Sequence, residues 1–180
     1  MSRARTLKEI EERRAQYSRY IWMAVVLSMA ASIVGISIYI ALGLPSYFLF
    51  GEIPNAMVIA SYVLAILSAI TGYLSKSGVL RGEYPSAYKL LAAAVALSAI
   101  SIALSVTVFT PLMDNIALEI CQTRVTASSN IPICISNFKF DLYISFGIYL
   151  VINIIAVVMY LTSKRALDAL LAYYRPARRG

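Results

Sequence analysis

Four long stretches of this chain contain no Asp, Glu, Lys or Arg, and this feature constrains the fold more than any other. The stretches are residues 20–44, 56–75, 90–112 and 142–163. A helix needs about 20 apolar residues to cross the hydrocarbon core of a bilayer. Backbone polar groups in lipid have to be satisfied within the segment, so each stretch is expected to be helical. The sequence therefore predicts an all-α integral membrane four-helix bundle.

Helix-breaking residues mark the edges of these stretches. Gly43 and Pro45 lie at the end of the first, Pro54 precedes the second, and Pro111 lies at the end of the third. Proline removes a helical N–H and clashes with the preceding turn. We therefore expect the first and third helices to end at these residues.

Basic residues lie almost entirely on one side of this predicted topology. The segments 1–19, 76–89 and 164–180 hold all of the 16 Lys and Arg residues except Arg124 and Lys139. Cytoplasmic loops of membrane proteins are enriched in Lys and Arg. We therefore expect a multi-pass protein of the cell membrane with both termini cytoplasmic. Since this distribution explains the net charge of +7, nucleic-acid binding is not expected.

The two ends of the chain are predicted to be more than tails. Thr6 and Glu9 fit a capping box, so residues 1–19 are expected to form a cytoplasmic basic helix. Residues 20–163 are expected to form the membrane domain, and residues 164–180, which follow it, are expected to form a cytoplasmic basic amphipathic tail. Either end could rest on anionic lipid of the inner leaflet or contact a partner. The residues expected to make these contacts are Arg13, Arg14, Arg19, Lys164, Arg165 and Arg175.

Residues 113–141 are predicted to form the main extracellular loop, and they contain both cysteines of the chain, Cys121 and Cys134. An oxidising exterior favours a disulfide between them, which would stabilise the fold by about 3 kcal/mol in the chain-entropy model. Intermolecular disulfides and a metal pair are the alternatives. The chain has no His, and two thiolates alone do not make a closed zinc site. The loop could be a recognition surface or a cap on the bundle.

Small residues recur at helical spacing in the first three spans. They allow membrane helices to approach closely, which is how helices associate in lipid. The residues expected to pack the helices are Ser28, Ser32, Gly35, Ser61, Ala65, Ser68, Gly72, Ser98, Ser101 and Ser105.

The fourth span is bulky and contains one notable polar residue, Asn153. Its amide is expected to hydrogen-bond across the bundle or to another protomer. We expect the first three spans to form the tight part of the bundle. The fourth is expected to lean on them or to face lipid or another subunit, with Asn153 on its interaction surface.

Aromatic residues gather near the ends of the predicted spans. Trp22, Tyr73, Tyr88 and Tyr160 are expected at the inner edges, where amphipathic rings form a belt at the headgroup level. A ligand-binding aromatic cage is the alternative, but the belt explains the same positions without a ligand.

The four spans contain no ionisable Asp, Glu, Lys, Arg or His residue. Such residues mark proton relays, ion paths and substrate sites in membranes. We therefore expect no catalytic, cofactor-binding or metal site, and we do not expect an enzyme.

The layout resembles that of the CD20-type (membrane-spanning 4A) family of four-span proteins. The shared features are cytoplasmic ends, a short first outer loop and a larger second outer loop with Cys121 and Cys134. The stretch 61–106 is similar in texture to these proteins, including its small residues Gly72, Ser98, Ser101 and Ser105. Tetraspanins are a weaker match, because the outer loop is short and lacks a Cys-Cys-Gly sequence.

The resemblance implies homo-oligomers, roles in receptor or signalling assemblies, and no catalysis. The function we expect is lateral assembly with other membrane subunits, as an accessory subunit or a membrane organiser. One alternative is a subunit of an oligomeric channel or small-solute pore lined by Ser and Thr. Another is a structural membrane protein of a virus or vesicle.

Overall fold

The computed structural model describes residues 3–49, 52–124 and 130–174 of the chain. These residues form four long helices: α1 (Arg3–Leu49), α2 (Glu52–Arg81), α3 (Tyr84–Arg124) and α4 (Ile131–Tyr174). The predicted all-α architecture is confirmed.

Each helix contains a stretch long and apolar enough to cross a membrane. The stretches are Glu11–Ser37, Ala56–Arg81, Tyr84–Phe109 and Ile131–Asp168. They indicate a multi-pass membrane protein. The 47 residues of α1 correspond to about 70 Å of helix, more than twice the ~30 Å hydrocarbon core. This helix therefore extends well beyond a bilayer.

The helices are longer than the sequence predicts. α1 continues through Gly43 and Pro45, and α3 continues through Pro111, so the expectation that helices end there is wrong. Membrane helices tolerate proline because neighbouring helices and local adjustments satisfy the freed backbone groups.

The predicted outer loop 113–141 is also largely helical, because α3 ends at Arg124 and α4 begins at Ile131. Beyond Pro111, Ala117, Ile120 and Cys121 are buried. Their spacing keeps one apolar face of α3 against the bundle, which stabilises the extra turns.

Prolines do mark helix starts. Pro54, Pro85 and Pro132 each lie in the first turn of their helix, where the N–H has no intrahelical partner to lose.

The connection between α2 and α3 is a two-residue turn with a glycine in the left-handed region. Gly82 has a φ of 80°. Its N–H donates to Val79 O at 3.2 Å, and the Glu83 N–H donates to Gly78 O at 2.9 Å. This pair of bonds is the Schellman motif, which closes a helix and reverses the chain. α2 and α3 are therefore antiparallel neighbours.

The helices are arranged in chain order around the bundle. α2 packs most extensively on α3, α1 packs on both α2 and α4, and α4 also packs on α3, whereas α1 and α3 touch only slightly. The fourth helix therefore packs against two neighbours and is an integral part of the bundle. This packing is the first of the two arrangements expected for the fourth span, in which it leans on the other helices.

Two apolar clusters divide the core. One contains Ile21, Leu91, Tyr160 and Leu167, near the chain ends and the α2–α3 turn. The other contains Tyr62, Val108, Phe109, Ile120 and Tyr149, toward the disulfide end.

The Gly82 turn generates a prediction. Gly82→Ala should lower the free energy of unfolding by about 1 kcal/mol, because an L residue in the left-handed region is strained. An added Cβ would meet no atom within 4 Å, so the cost is conformational and not steric. Equilibrium unfolding in mixed micelles measures it. Gly82→Asn should cost less, since asparagine adopts this conformation more readily; equal costs for both variants would contradict this explanation.

Candidate functional site

The inward face of α2 carries a small residue at five successive core positions. Ser61, Ala65, Ser68, Gly72 and Ser75 are buried, and they alternate at spacings of four and three residues. This is the heptad repeat of helices packed in a left-handed bundle. The sequence showed small residues at helical spacing, but it did not show that they form one continuous heptad repeat along α2.

The matching face of α3 follows the same repeat. Its buried core residues are Ala87, Leu91, Ala94, Ser98, Ser101 and Ser105. Together with Ser28, Ser32 and Gly35 of α1 and Asn153 of α4, all eleven residues expected to pack the helices lie buried in the bundle.

Serine hydroxyls join α2 to α3 at three levels. Ser75 Oγ donates to Ala87 O at 2.8 Å, and at the opposite end Ser101 Oγ donates to Ser61 O at 2.7 Å. Midway, Ser68 Oγ donates to a backbone oxygen of α3, Ala94 O, at 2.8 Å.

The midway level contains a second bond. Ser98 Oγ lies 2.6 Å from Ser68 Oγ. Because Ser68 has already used its single proton, Ser98 is the donor in this pair. Interhelical hydrogen bonds in membranes average ~0.6 kcal/mol, so these bonds contribute modestly in energy and also fix the register of α2 against α3.

Tyr149 of α4 extends this network to a third helix. Its hydroxyl lies 3.2 Å from Ser105 Oγ and 3.4 Å from Ser101 Oγ. Both serines donate to backbone carbonyls, so the single proton of the tyrosine hydroxyl is available to one of them at a time, and Ser105 Oγ is the nearer acceptor. The ring also meets Tyr62 of α2 edge-on, with centroids 6.1 Å apart.

Two glycines provide the space that the tyrosines fill. Gly35 faces the rings of Tyr62 and Tyr149, and Gly72 faces Tyr160. A Cβ added at Gly72 would lie 2.5 Å from Tyr160 Oη and 2.8 Å from Cε1. Because real Cβ atoms essentially never approach so closely, any larger residue at position 72 would force the Tyr160 ring to shift. We refer to the buried small residues of α1–α3 that face α4, including Gly35 and Gly72, as the small-residue groove.

Among the residues whose burial is described, Tyr160 is the largest fully buried side chain, with 0% of its surface exposed. The expectation that it belongs to an interfacial belt is therefore wrong. The sequence does contain a signal for the burial of Tyr160, which is its position in the heptad repeat of α4. One face of that repeat carries Tyr149, Asn153, Ala156, Tyr160 and Ser163. By contrast, Trp22 and Tyr73 are exposed as a belt requires.

Packing holds the Tyr160 side chain in place, and hydrogen bonding does not. Ser28 and Ser68 lie near its hydroxyl. Within the described part of the chain, however, Tyr160 Oη and Ser28 Oγ are buried without a hydrogen-bond partner. An unpaired buried hydroxyl costs about 1–3 kcal/mol, so packing has to compensate for it.

Asn153 lies inside the bundle, with 1% of its surface exposed. Its Nδ2 donates to Tyr149 O, one turn earlier in α4, at 3.0 Å. It is therefore not part of an outward interaction surface, which corrects that expectation. Its register, which it shares with the two tyrosines, turns it toward the groove.

The predicted disulfide between Cys121 and Cys134 is confirmed, with Cα atoms 5.9 Å apart. It joins the last turn of α3 to the first turn of α4 and therefore clamps two helix ends. Cys121 is 0% exposed, so this end of α3 packs against the bundle.

Of the six basic residues expected to contact lipid or a partner, at least three interact within the chain: Arg13, Arg14 and Lys164. Arg14 Nε donates to Val79 O at 2.9 Å, near the end of α2, and Lys164 Nζ lies 5.1 Å above the Tyr88 ring. Arg13, Arg19 and Arg165 are exposed, and Arg175 lies outside the described residues.

These contacts bring the start of α1, the α2–α3 turn and the end of α4 together at one end of the bundle. Lys76 lies here too, with Nζ 4.2 Å above the Trp22 ring, a pair that was not predicted from the sequence. We refer to this as the basic end; the disulfide lies at the opposite end.

No protein-family model, curated protein or solved structure matches the chain. The resemblance to CD20-type proteins therefore stays a prediction. Among the described side chains, no three His, Cys, Asp or Glu residues are grouped so that they could hold a metal ion.

The small-residue groove leads to a prediction about packing. Gly72→Ala should lower the free energy of unfolding by about 1–3 kcal/mol, because the added methyl overpacks against Tyr160. Unfolding in mixed micelles measures this change.

Gly147 of α4 is the matched control, since an added Cβ there meets no atom within 4 Å. In micelles that hold one chain each, Gly147→Ala should be neutral or stabilising by up to about 1 kcal/mol, because alanine favours the helix. If the two substitutions have the same effect, the groove does not require Gly72.

Proposed function

We propose that this protein is a non-catalytic multi-pass membrane protein that acts by lateral assembly, as an accessory subunit or membrane organiser. The observation that carries the proposal is the outer face of α4. Five β-branched residues project from it with 43–55% of their surface exposed: Ile144, Ile148, Val151, Ile155 and Val158. We refer to these five residues as the α4 stripe.

The spacing of the α4 stripe suits a partner helix. Its residues alternate at four and three positions, as in the core of a two-helix coiled coil. In lipid, association depends on packing and entropy, because lipid tails are as apolar as the helix surface. Val and Ile hold one χ1 rotamer in a helix, so they lose little freedom when another helix packs on them.

A glycine on the same side of α4 would allow close approach. Gly147 lies between Ile144 and Val151 and has open space around the position of a Cβ. Small residues at this kind of position permit backbone contact between membrane helices. Only 22% of the apolar stretch of α4 is buried, against 33–39% in the other helices, so α4 offers the most surface to a partner.

The proposed orientation places both termini in the cytoplasm and the disulfide outside the cell. It is supported by the clustering of Arg14, Lys76 and Lys164 at one end of the bundle and by the positive-inside rule. The exposed Arg19 and Arg165 would then face anionic lipid of the inner leaflet or a cytoplasmic partner.

A pore through one bundle is not favoured. The serines that would line it hydrogen-bond between and within helices. Tyr160 reaches from α4 across the bundle to Gly72 of α2 and occupies the space a pore would need.

Cross-linking in native membranes tests the assembly proposal. Both native cysteines are in the disulfide, so one added cysteine provides the only free thiol. Cysteine at Ile148, Val151 or Ile155 should give a cross-linked product with a second copy or another subunit. Val63 and Leu67 of α2, which are similarly exposed, serve as control positions and should give little.

Gly147→Phe should then abolish cross-linking from Ile155, because the ring holds the partner backbone away. Intact mass spectrometry after gentle extraction should show the same complex. A protein that runs as a monomer and does not cross-link through the α4 stripe would contradict lateral assembly by this face.

A further inference from the structure

An apolar groove of about 540 Å³ lies on the outer surface between α1 and α2, away from the α4 stripe. Its volume is in the range of small-molecule sites, which is about 300–1,000 Å³. Its walls are apolar and come from both helices, principally Trp22, Met29 and Ile33 of α1 and Ile70 and Tyr73 of α2.

The length of this groove corresponds to one leaflet of a bilayer. Trp22 and Ile33, at its two ends on α1, are separated by eleven residues, or about 16 Å of helix. Half of the hydrocarbon core is about 15 Å. A partner helix would pack along the full thickness of the bilayer core. An acyl chain extends through one leaflet only, which is the length of this groove.

The mouth of the groove is cationic and aromatic. Lys76 Nζ lies 4.2 Å above the Trp22 ring, and Tyr73 lies against Trp22 with centroids 6.3 Å apart. Arg19, one turn before Trp22, is exposed. Trp and Tyr are the residues that anchor at the headgroup level, so the mouth lies where a lipid phosphate would be.

The stretches of α1 and α2 that form this mouth contain basic residues but no acidic ones. The sequence contains no Asp or Glu between Glu12 and Glu52, or between Glu52 and Glu83. An anionic headgroup is therefore favoured at this position, since each Lys or Arg near a membrane surface attracts anionic lipid.

We propose that the α1–α2 groove binds one acyl chain of an anionic phospholipid, with the lipid phosphate held at Lys76 and Arg19. The site is independent of the proposed assembly through α4, because it is built from different helices. Its occupant is a lipid of the leaflet in which the basic end lies.

Trp22 provides a direct probe, because it is the only tryptophan in the chain and lines the groove. The full chain is reconstituted in phosphatidylcholine–phosphatidylglycerol vesicles in which one lipid at a time has brominated acyl chains. Bromine quenches tryptophan on contact. Phosphatidylglycerol should associate about 30-fold more strongly than phosphatidylcholine, the factor expected for two basic residues at ~1 kcal/mol each.

Lys76→Gln should reduce this preference about fivefold, to the part that Arg19 still contributes, and Lys76→Arg should keep it. The control is Lys89→Gln, an exposed lysine at the same end of the bundle, which should leave the preference unchanged. Expressing each result as the ratio of quenched to unquenched signal removes the direct effect of Lys76 on Trp22 fluorescence.

Filling the groove provides the second test. Ala30→Phe places a ring inside it and should lower quenching by both lipids. Ala93→Phe on the exposed surface of α3 should not. Glycerol phosphate in solution should not compete, because it lacks the acyl chain.

Equal quenching by the two lipids, a preference that Lys76→Gln leaves undiminished, or quenching that Ala30→Phe leaves undiminished would overturn the proposal. Disulfide-linked dimers formed by a Met29→Cys variant would also overturn it, because they would show that a second copy of the chain occupies the groove.

Discussion

The structure depends on the fit between the large side chains of α4 and the small residues of the other three helices. Tyr149 and Tyr160 occupy space left by Gly35 and Gly72, and no hydrophobic effect between apolar helices exists in lipid to compensate for a poor fit. The serine bonds between α2 and α3 fix the register of that pair, which sets the shape of the groove that receives α4.

This fit decides which surfaces remain for interaction. The hydroxyls of the core serines and Asn153 are enclosed, so the outward surfaces of the membrane-spanning part are mostly apolar. Two of them have distinctive shapes: the heptad-spaced α4 stripe suits a rigid helix, and the half-length α1–α2 groove suits a lipid chain. The basic residues Arg14, Lys76 and Lys164 lie at one end of the bundle and the disulfide lies at the other.

The sequence was sufficient to predict the four apolar helices, since charge-free segments of this length have few other folds, and the disulfide, since the chain has two cysteines and no His. It did not predict the role of Tyr160, because an aromatic residue near the end of a span also fits an interfacial belt. Only the register of the folded helix distinguishes a buried tyrosine from one in the interfacial belt. The extension of α3 past Pro111 was missed because proline is a weaker breaker in a packed membrane helix than in water.

A double-mutant cycle between Gly72 and Tyr160 tests the fit most directly, by measuring unfolding in mixed micelles. Tyr160→Leu removes the hydroxyl and ring that approach Gly72, so the cost of Gly72→Ala should fall from about 1–3 kcal/mol to near zero in that background. The coupling energy should then be at least about 1 kcal/mol, well outside the ~0.3–0.5 kcal/mol by which independent sites deviate from additivity. If Gly72→Ala costs the same in both backgrounds, α4 is not held by this contact and the account is wrong.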